Sequence, residues 1–178
     1  RCGGMSPERP VGVFDSGVGR LSVRRAVREE LPGEDLIYVG DSGCAPYGDR
    51  SAAFVTERAT AITQFLVERG VKAVVVACNT ATAIAVESLR ARFAIPIVAI
   101  EPAVKPAALR SRSRVVGVLA TTGTVSSPNM AKLLANYGDV EFLIQPCPGL
   151  ADQVEKGELA SLETRALVER YVRPLTEK

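Results

Sequence analysis

The sequence predicts an α/β protein built on parallel sheet. Short β-branched runs alternate with longer amphipathic stretches from Val11 onward. Glycine, proline and small polar residues separate them. Strand, helix and strand recur in that order, which with right-handed crossovers gives parallel strands covered by helices.

The elements follow in turn. Val11–Phe14 reads as a strand running into the turn Asp15-Ser16-Gly17-Val18-Gly19-Arg20. Leu21–Leu31 reads as a helix with Leu21, Ala26, Val27 and Leu31 on its apolar face, stopped by Pro32-Gly33. Leu36–Val39 is the next strand. A loop with Asp41, Pro46, Tyr47 and Gly48 leads to Ser51, a suitable N-cap for a helix over Ala52–Glu68 that closes at Gly70. Ala73–Ala77 has no polar interruption, as expected of a strand covered on both faces. Thr80–Phe93 is helical and Ile97–Ile100 extended. The pattern repeats with a helix at Val104–Leu109 and a strand at Val115–Leu119. A helix containing Met130–Tyr137, a strand at Glu141–Ile144 and two helical stretches after Pro148 complete it. Arg110, Arg112 and Arg114, spaced by serines, read as a solvated turn before a strand.

The expected organisation is an N-terminal extension over 1–10, a first α/β domain over 11–101 and a second, incomplete one over 102–178. The last clear strand of the second unit is followed only by helices. Residue 1 is not methionine; Met5 is the expected natural start, with Arg1–Gly4 expected to be upstream or added sequence.

Composition excludes several classes. With 22 Lys plus Arg against 20 Asp plus Glu and no basic run, a nucleic-acid partner is not expected. No apolar stretch reaches the ~18–20 residues of a membrane span, and Arg1–Pro10 has no apolar core of the kind a secretory signal needs. The 4 cysteines, Cys2, Cys44, Cys78 and Cys147, form no CxxC pair, and there is no histidine, so neither a zinc site nor a disulfide framework is expected. Free thiols fit a cytoplasmic protein.

The chemistry collects where strands end. In open α/β sheets ligands bind beyond the carboxyl ends of strands. The residues there are Asp15, Asp41, Cys78, Glu101 and Thr121, mostly acids or a thiol rather than small turn residues. In the first turn, Gly17 and Gly19 permit close backbone approach before a helix whose free amides attract an anion. It is no dinucleotide fingerprint, since Ser22 stands where the third glycine belongs, and a phosphate would meet the Asp15 carboxylate. A small ligand with both an amine and a carboxylate suits it better; a purely structural turn is the alternative. Cys78-Asn79-Thr80 enters a helix, where a thiolate is stabilised and its pKa falls. The alternative for Cys78 is a small buried hydrophobe.

Six segments then resemble one family in order and spacing: VGVFDSGVGRLS from Val11, YVGDSGCAPYG from Tyr38, VACNTAT from Val76, IEPAVKP from Ile100, VLATTGTV from Val118 and QPCPGL from Gln145. They resemble glutamate racemases of the aspartate/glutamate racemase family across Val11–Leu175. The resemblance implies a sandwich of two similar α/β domains, usually a homodimer or other homo-oligomer, that interconverts L- and D-glutamate without a cofactor and supplies D-glutamate for peptidoglycan. It implies two cysteines on opposite faces of the substrate Cα. Carried over by motif, Cys78 is one of them and Asp15 assists catalysis. Asp15, Ser16, Tyr47, Gly48, Asn79 and Thr80 contact the substrate, and Glu101 and Thr121 act further out or between domains. Pyridoxal phosphate is not expected, because no lysine follows a strand in a suitable setting.

The chain departs from the pattern at Arg20, where the family has a second glycine, and at Met130, where an aromatic residue is common. The second cysteine is expected in a Gly-Cys-Thr-His segment beyond the stretch that resembles Tyr171–Leu175. Cys147, in QPCPGL, does not match that motif, and Cys44 lies in the loop before Pro46. Residues 1–178 alone are therefore expected not to racemise glutamate. A racemase for aspartate and a racemase-like binding protein without turnover are the competing readings.

Overall fold

The computed structural model describes residues 9–17 and 21–177. Arg1–Gly4, Met5, Gly19 and Arg20, for which the sequence carries expectations, lie outside the described residues. The first sheet takes β1 (Val11–Asp15), β2 (Leu36–Gly40), β3 (Ala73–Val76) and β4 (Ile97–Ala99) in the order β2-β1-β3-β4. All its pairs are parallel: Asp15 lies opposite Gly40, Phe14 opposite Val76, and Val76 opposite Ala99. The helices between them are α1 (Leu21–Glu30), α2 (Ala52–Glu68) and α3 (Asn79–Arg92). A second sheet pairs β5 (Val115–Ala120) with β6 (Glu141–Pro146), again in parallel. Around it run α4 (Val104–Arg110), α5 (Thr122–Val125), α6 (Pro128–Ala135), α7 (Leu150–Glu155) and α8 (Leu162–Thr176).

Local chemistry accounts for the helix ends. Ser51 caps α2 by accepting from Phe54 N, and Gly70, at φ +75°, closes the helix in the left-handed conformation that a side chain resists. Ser127 caps α6, with Pro128 at the first helical position, where its missing N–H costs nothing. Ser161 caps α8 in the same way. The core lies where α2 and α3 cover the first sheet: Phe14, Val55, Leu66, Val74, Val76, Ala81 and Leu89 are buried together. The second sheet is more open, with Val115, Leu119 and Ile144 exposed on its strands.

Two expectations need correction. The apolar face assigned to α1 is not a buried one: Ala26 is exposed, Leu31 is 47% exposed and Val27 only half-buried. The strand that α1 leads into, β2, is the sheet's edge, so little apolar surface is available to cover the outer flank of the helix. The short helix α5 has no counterpart in the sequence reading: TTGTV has weak helix formers throughout, and the turn forms because the Thr121 hydroxyl caps it by accepting from Thr124 N. Arg110, Arg112 and Arg114 are exposed before β5, as read from the sequence.

Among the described residues no helix is long and apolar enough to cross a membrane, and no group of three or more His, Cys, Asp or Glu could hold a metal ion.

Candidate functional site

The strand order changes direction at β1, which has β2 on one side and β3 on the other. Crossovers leaving β1 and β3 on opposite sides open a crevice at their carboxyl ends, the usual ligand position in such sheets. A cleft of about 460 Å³ lies there. Asp15 and Ser16 enter it from β1, Tyr47 and Gly48 from the loop before α2, and Cys78, Asn79 and Thr80 from the β3–α3 junction. Thr121, Thr124 and Cys147 close it from the second sheet.

Cys78 is the N-cap of α3: its Sγ accepts from Ala81 N at 3.4 Å. It also donates to Ser16 Oγ at 3.2 Å, joining the ends of β3 and β1. The sequence predicts a lowered thiol pKa at this helix N-terminus, and the structure corrects that. Burial pushes the Cys78 thiol up; Ser16 and the Ala81 amide oppose this, and the Asp15 carboxylate adds to it. A thiol only 5% exposed loses more solvation as an anion than one helix end returns. Asp15 itself is 2% exposed, with one carboxylate oxygen accepting from Ser16 N at 2.8 Å.

The opposite side is a cluster of hydroxyls. Thr80 Oγ1 lies 3.0 Å from Thr121 Oγ1 and 3.3 Å from Thr124 Oγ1, and the latter two are 3.0 Å apart. Thr80 lies in the first turn of α3 and Thr121 caps α5, so the cluster spans both sheets. Gly48 makes a second bridge, its carbonyl accepting from Gly123 N at 2.9 Å. A Cβ on Gly48 would stand 2.7 Å from Thr121 Cγ2, so only glycine fits between the loop and Thr121.

Behind the Tyr47–Gly48 loop lies a charged anchor. Tyr47 is 1% exposed, and its hydroxyl donates to Asp41 Oδ2 at 2.6 Å. Arg58 on α2 donates to both oxygens of Asp41, at 2.9 and 2.7 Å. Arg58, chiefly through these bonds, holds the Asp41 carboxyl below its ordinary range, while burial and the Asp41 carboxylate push the Tyr47 phenol up. The amide nitrogens of Tyr47 and Gly48 donate to no group among the described residues.

Of the residues singled out in the sequence, Asp15, Ser16, Tyr47, Gly48, Cys78, Asn79, Thr80 and Thr121 meet at this cleft. Glu101 does not: it is exposed, and its neighbour Pro102 lines the cleft instead. Cys44 is half-buried in the 3₁₀ turn Ser42–Cys44 beside Asp41 and is not on the cleft wall. Cys147 is on it, 5% exposed, its thiol donating to Gln145 O at 3.3 Å and pushed up in pKa by burial. Sequence reasoning missed Glu155, whose carboxylate lies against Gly17, while Tyr38 donates to Gly17 O at 3.1 Å. Nothing in the local pattern of α7 marks Glu155, because its approach to the first turn is tertiary.

The profile of the Asp/Glu/Hydantoin racemase family matches residues 21–178. The chain belongs to that family. Among curated relatives, the glutamate racemase of Pseudomonas paraeruginosa is 54% identical over 95% of this chain, and that of Methylococcus capsulatus 51% identical over 96%. The chain spans about 64% of the length of each. The crystal structure of a glutamate racemase isoform from Bacillus anthracis superposes with a TM-score of 0.86 at 33% identity, over 97% of this chain and 65% of that one. The Escherichia coli glutamate racemase, in complex with L-glutamate and the activator UDP-MurNAc-Ala, gives 0.83 at 35% identity, over 96% and 65%. The Francisella tularensis enzyme, in complex with D-glutamate, gives 0.81 at 32% identity, over 94% and 64%. These racemase structures share the parallel-sheet α/β architecture read from the sequence.

Proposed function

We propose that these residues belong to a cofactor-independent glutamate racemase that supplies D-glutamate for peptidoglycan, and that Cys78 is one of its two proton-transfer groups. The observation that carries the reading is the composition of the cleft: a thiol bonded to Ser16 beside the Asp15 carboxylate, facing three clustered hydroxyls. A small amino acid suits this arrangement. Asp15 and Ser16 attract its ammonium, Thr80, Thr121 and Asn79 its α-carboxylate, and the Tyr47 and Gly48 amides a second carboxylate. That last pair of donors favours a substrate acidic at both ends.

The thiolate of Cys78 removes the Cα proton, and a thiol on the opposite face returns one. A buried thiol with a raised pKa is a stronger base once ionised, which suits a weakly acidic Cα–H. An ammonium docked beside Asp15 favours the thiolate and offsets part of the burial penalty. The second acid–base group is the cysteine implied by the family resemblance, so residues 1–178 alone do not racemise glutamate. We take 11–101 and 102–178 as two domains enclosing the cleft, and the natural protein as a cytoplasmic homodimer.

The test is exchange of the Cα proton of D- and of L-glutamate for deuterium in the natural protein, followed by NMR. Replacing Cys78 with Ala is expected to lower exchange from the enantiomer whose Cα proton faces Cys78 by roughly 10²–10⁴-fold, the range of a positioned acid–base group. Exchange from both enantiomers unchanged by Cys78→Ala would remove Cys78 from the mechanism.

A further inference from the structure

We infer that Arg58 is a positioning residue for substrate selection: acting through Asp41, it fixes the Tyr47–Gly48 wall against which the substrate's second carboxylate rests. The inference builds on the glutamate reading above.

Arg58 is absent from the cleft lining, so any influence on the ligand is indirect. Its contact is the strongest kind available to a side chain, a two-point bond from guanidinium to carboxylate. The Asp41 carboxylate is only 10% exposed, and it passes the constraint on by accepting the Tyr47 hydroxyl at 2.6 Å. Cys44 N donates to Asp41 O at 2.9 Å, so the backbone of Asp41 is held as well as its side chain. The Tyr47 ring meets Phe54 edge-on at 6.4 Å between centroids. Phe54 and Arg58 are both on α2, one turn apart, so a single capped helix holds Tyr47 by the ring and, through Asp41, by the hydroxyl. On the other side Gly48 is held by Gly123. The two amides between these anchors make no bond among the described residues.

Fixing a pair of donors before the ligand arrives removes an ordering cost from binding. The group they hold is remote from the reacting Cα. Loosening them weakens ground state and transition state alike, which appears in KM rather than kcat. Arg58→Met removes the charge and both bonds; Arg58→Lys keeps the charge as a single point and loses the fork.

The experiment is steady-state racemisation of D-glutamate by the natural protein and by Arg58→Lys, Arg58→Met, Tyr47→Phe and the double variant Arg58→Lys/Tyr47→Phe, with a melting curve for each. The expected result is a KM raised about tenfold in Arg58→Met and less in Arg58→Lys, with kcat within about threefold. The double variant should be no worse than the poorer single one, because both act on one linkage. An unchanged KM in a folded Arg58 variant, even one with a lowered melting point, assigns Arg58 to stability alone and overturns the inference. So does a fall in kcat without a change in KM. Should Arg58→Met not fold, Arg58→Lys decides by the same criteria. An unmodified protein that neither binds nor racemises glutamate overturns the functional reading itself and the inference with it.

Discussion

Replacing Gly48 with alanine tests the fit between the two sheets most directly. A Cβ there would lie 2.7 Å from Thr121 Cγ2 and 2.8 Å from Thr121 Cβ. The second atom is fixed to the backbone, so no rotamer of Thr121 clears it, and either the loop or α5 must move. Gly123 offers no slack, since a Cβ on it would itself stand 3.1 Å from Gly48 O. Overpacking of this kind costs about 1–3 kcal/mol. Losing the Gly123 N–Gly48 O bond adds about 0.5–1.5 kcal/mol. The lower chain entropy of unfolded alanine returns about 0.4–1 kcal/mol. The net is a loss of roughly 2 kcal/mol, or a melting temperature lower by ~4–8 °C for a chain of this size. Thermal unfolding followed by circular dichroism measures it. Gly17→Ala is the control: the atoms nearest its Cβ are the carboxylate end of Glu155, the far end of a side chain rather than atoms fixed to the backbone, so its cost should be the smaller of the two. Equal melting points for Gly48→Ala and the parent, or for the two variants, would refute the argument that the Gly48–Thr121 contact is rigid.

Other outcomes follow from the same geometry. Alkylation of Cys78 by iodoacetamide should have its midpoint above the ordinary thiol value of 9.0, because burial raises the pKa; a midpoint near 7 would show that the helix end dominates after all. Thr124→Val strips a buried hydroxyl of the Thr80–Thr121–Thr124 cluster and should cost about 1–3 kcal/mol in urea denaturation. Asp41 has a depressed pKa, so its contribution to stability is present above the unfolded value near 3.8 and is lost as pH falls through the lower folded value. The stability gap between the parent and Arg58→Met should therefore begin to narrow below about pH 4 and shrink further as pH falls; a gap that stays constant as the pH is lowered from 7 through this range would contradict this.

Much of the fold is legible because local and tertiary signals agree. Ser51 as a cap, the apolar period of α2 and Gly70 after it all point to one helix, and it forms over the span expected, Ala52–Glu68. The carboxyl ends of the strands likewise bring Asp15 and Cys78 to one cleft without further information. What was illegible depended on neighbours. The Cys78 pKa was read from its helix alone, whereas the surrounding core determines its sign. Leu31 looked like a core residue because periodicity does not record that the strand next to α1 is an edge. Arg58, a charged residue on a helix whose other face makes the core, carries no local signal, since its partner Asp41 lies 17 residues earlier. Glu155 was missed for the same reason.

The hydroxyl cluster has a thermodynamic consequence. Thr80 lies in the first turn of a helix of the first sheet, while Thr121 and Thr124 belong to the second, so a ligand held by Thr80 and Thr121 as proposed must loosen before the halves can separate. A ligand at 100 times its Kd stabilises the closed arrangement by about 2.7 kcal/mol, a slowing of roughly 100-fold in any opening that releases it. Hydrogen exchange should report this as one event. The amides of Thr82 and Val125, which bond to Cys78 O and Thr121 O, lie more than 40 residues apart in the chain, yet should gain protection together and by the same factor.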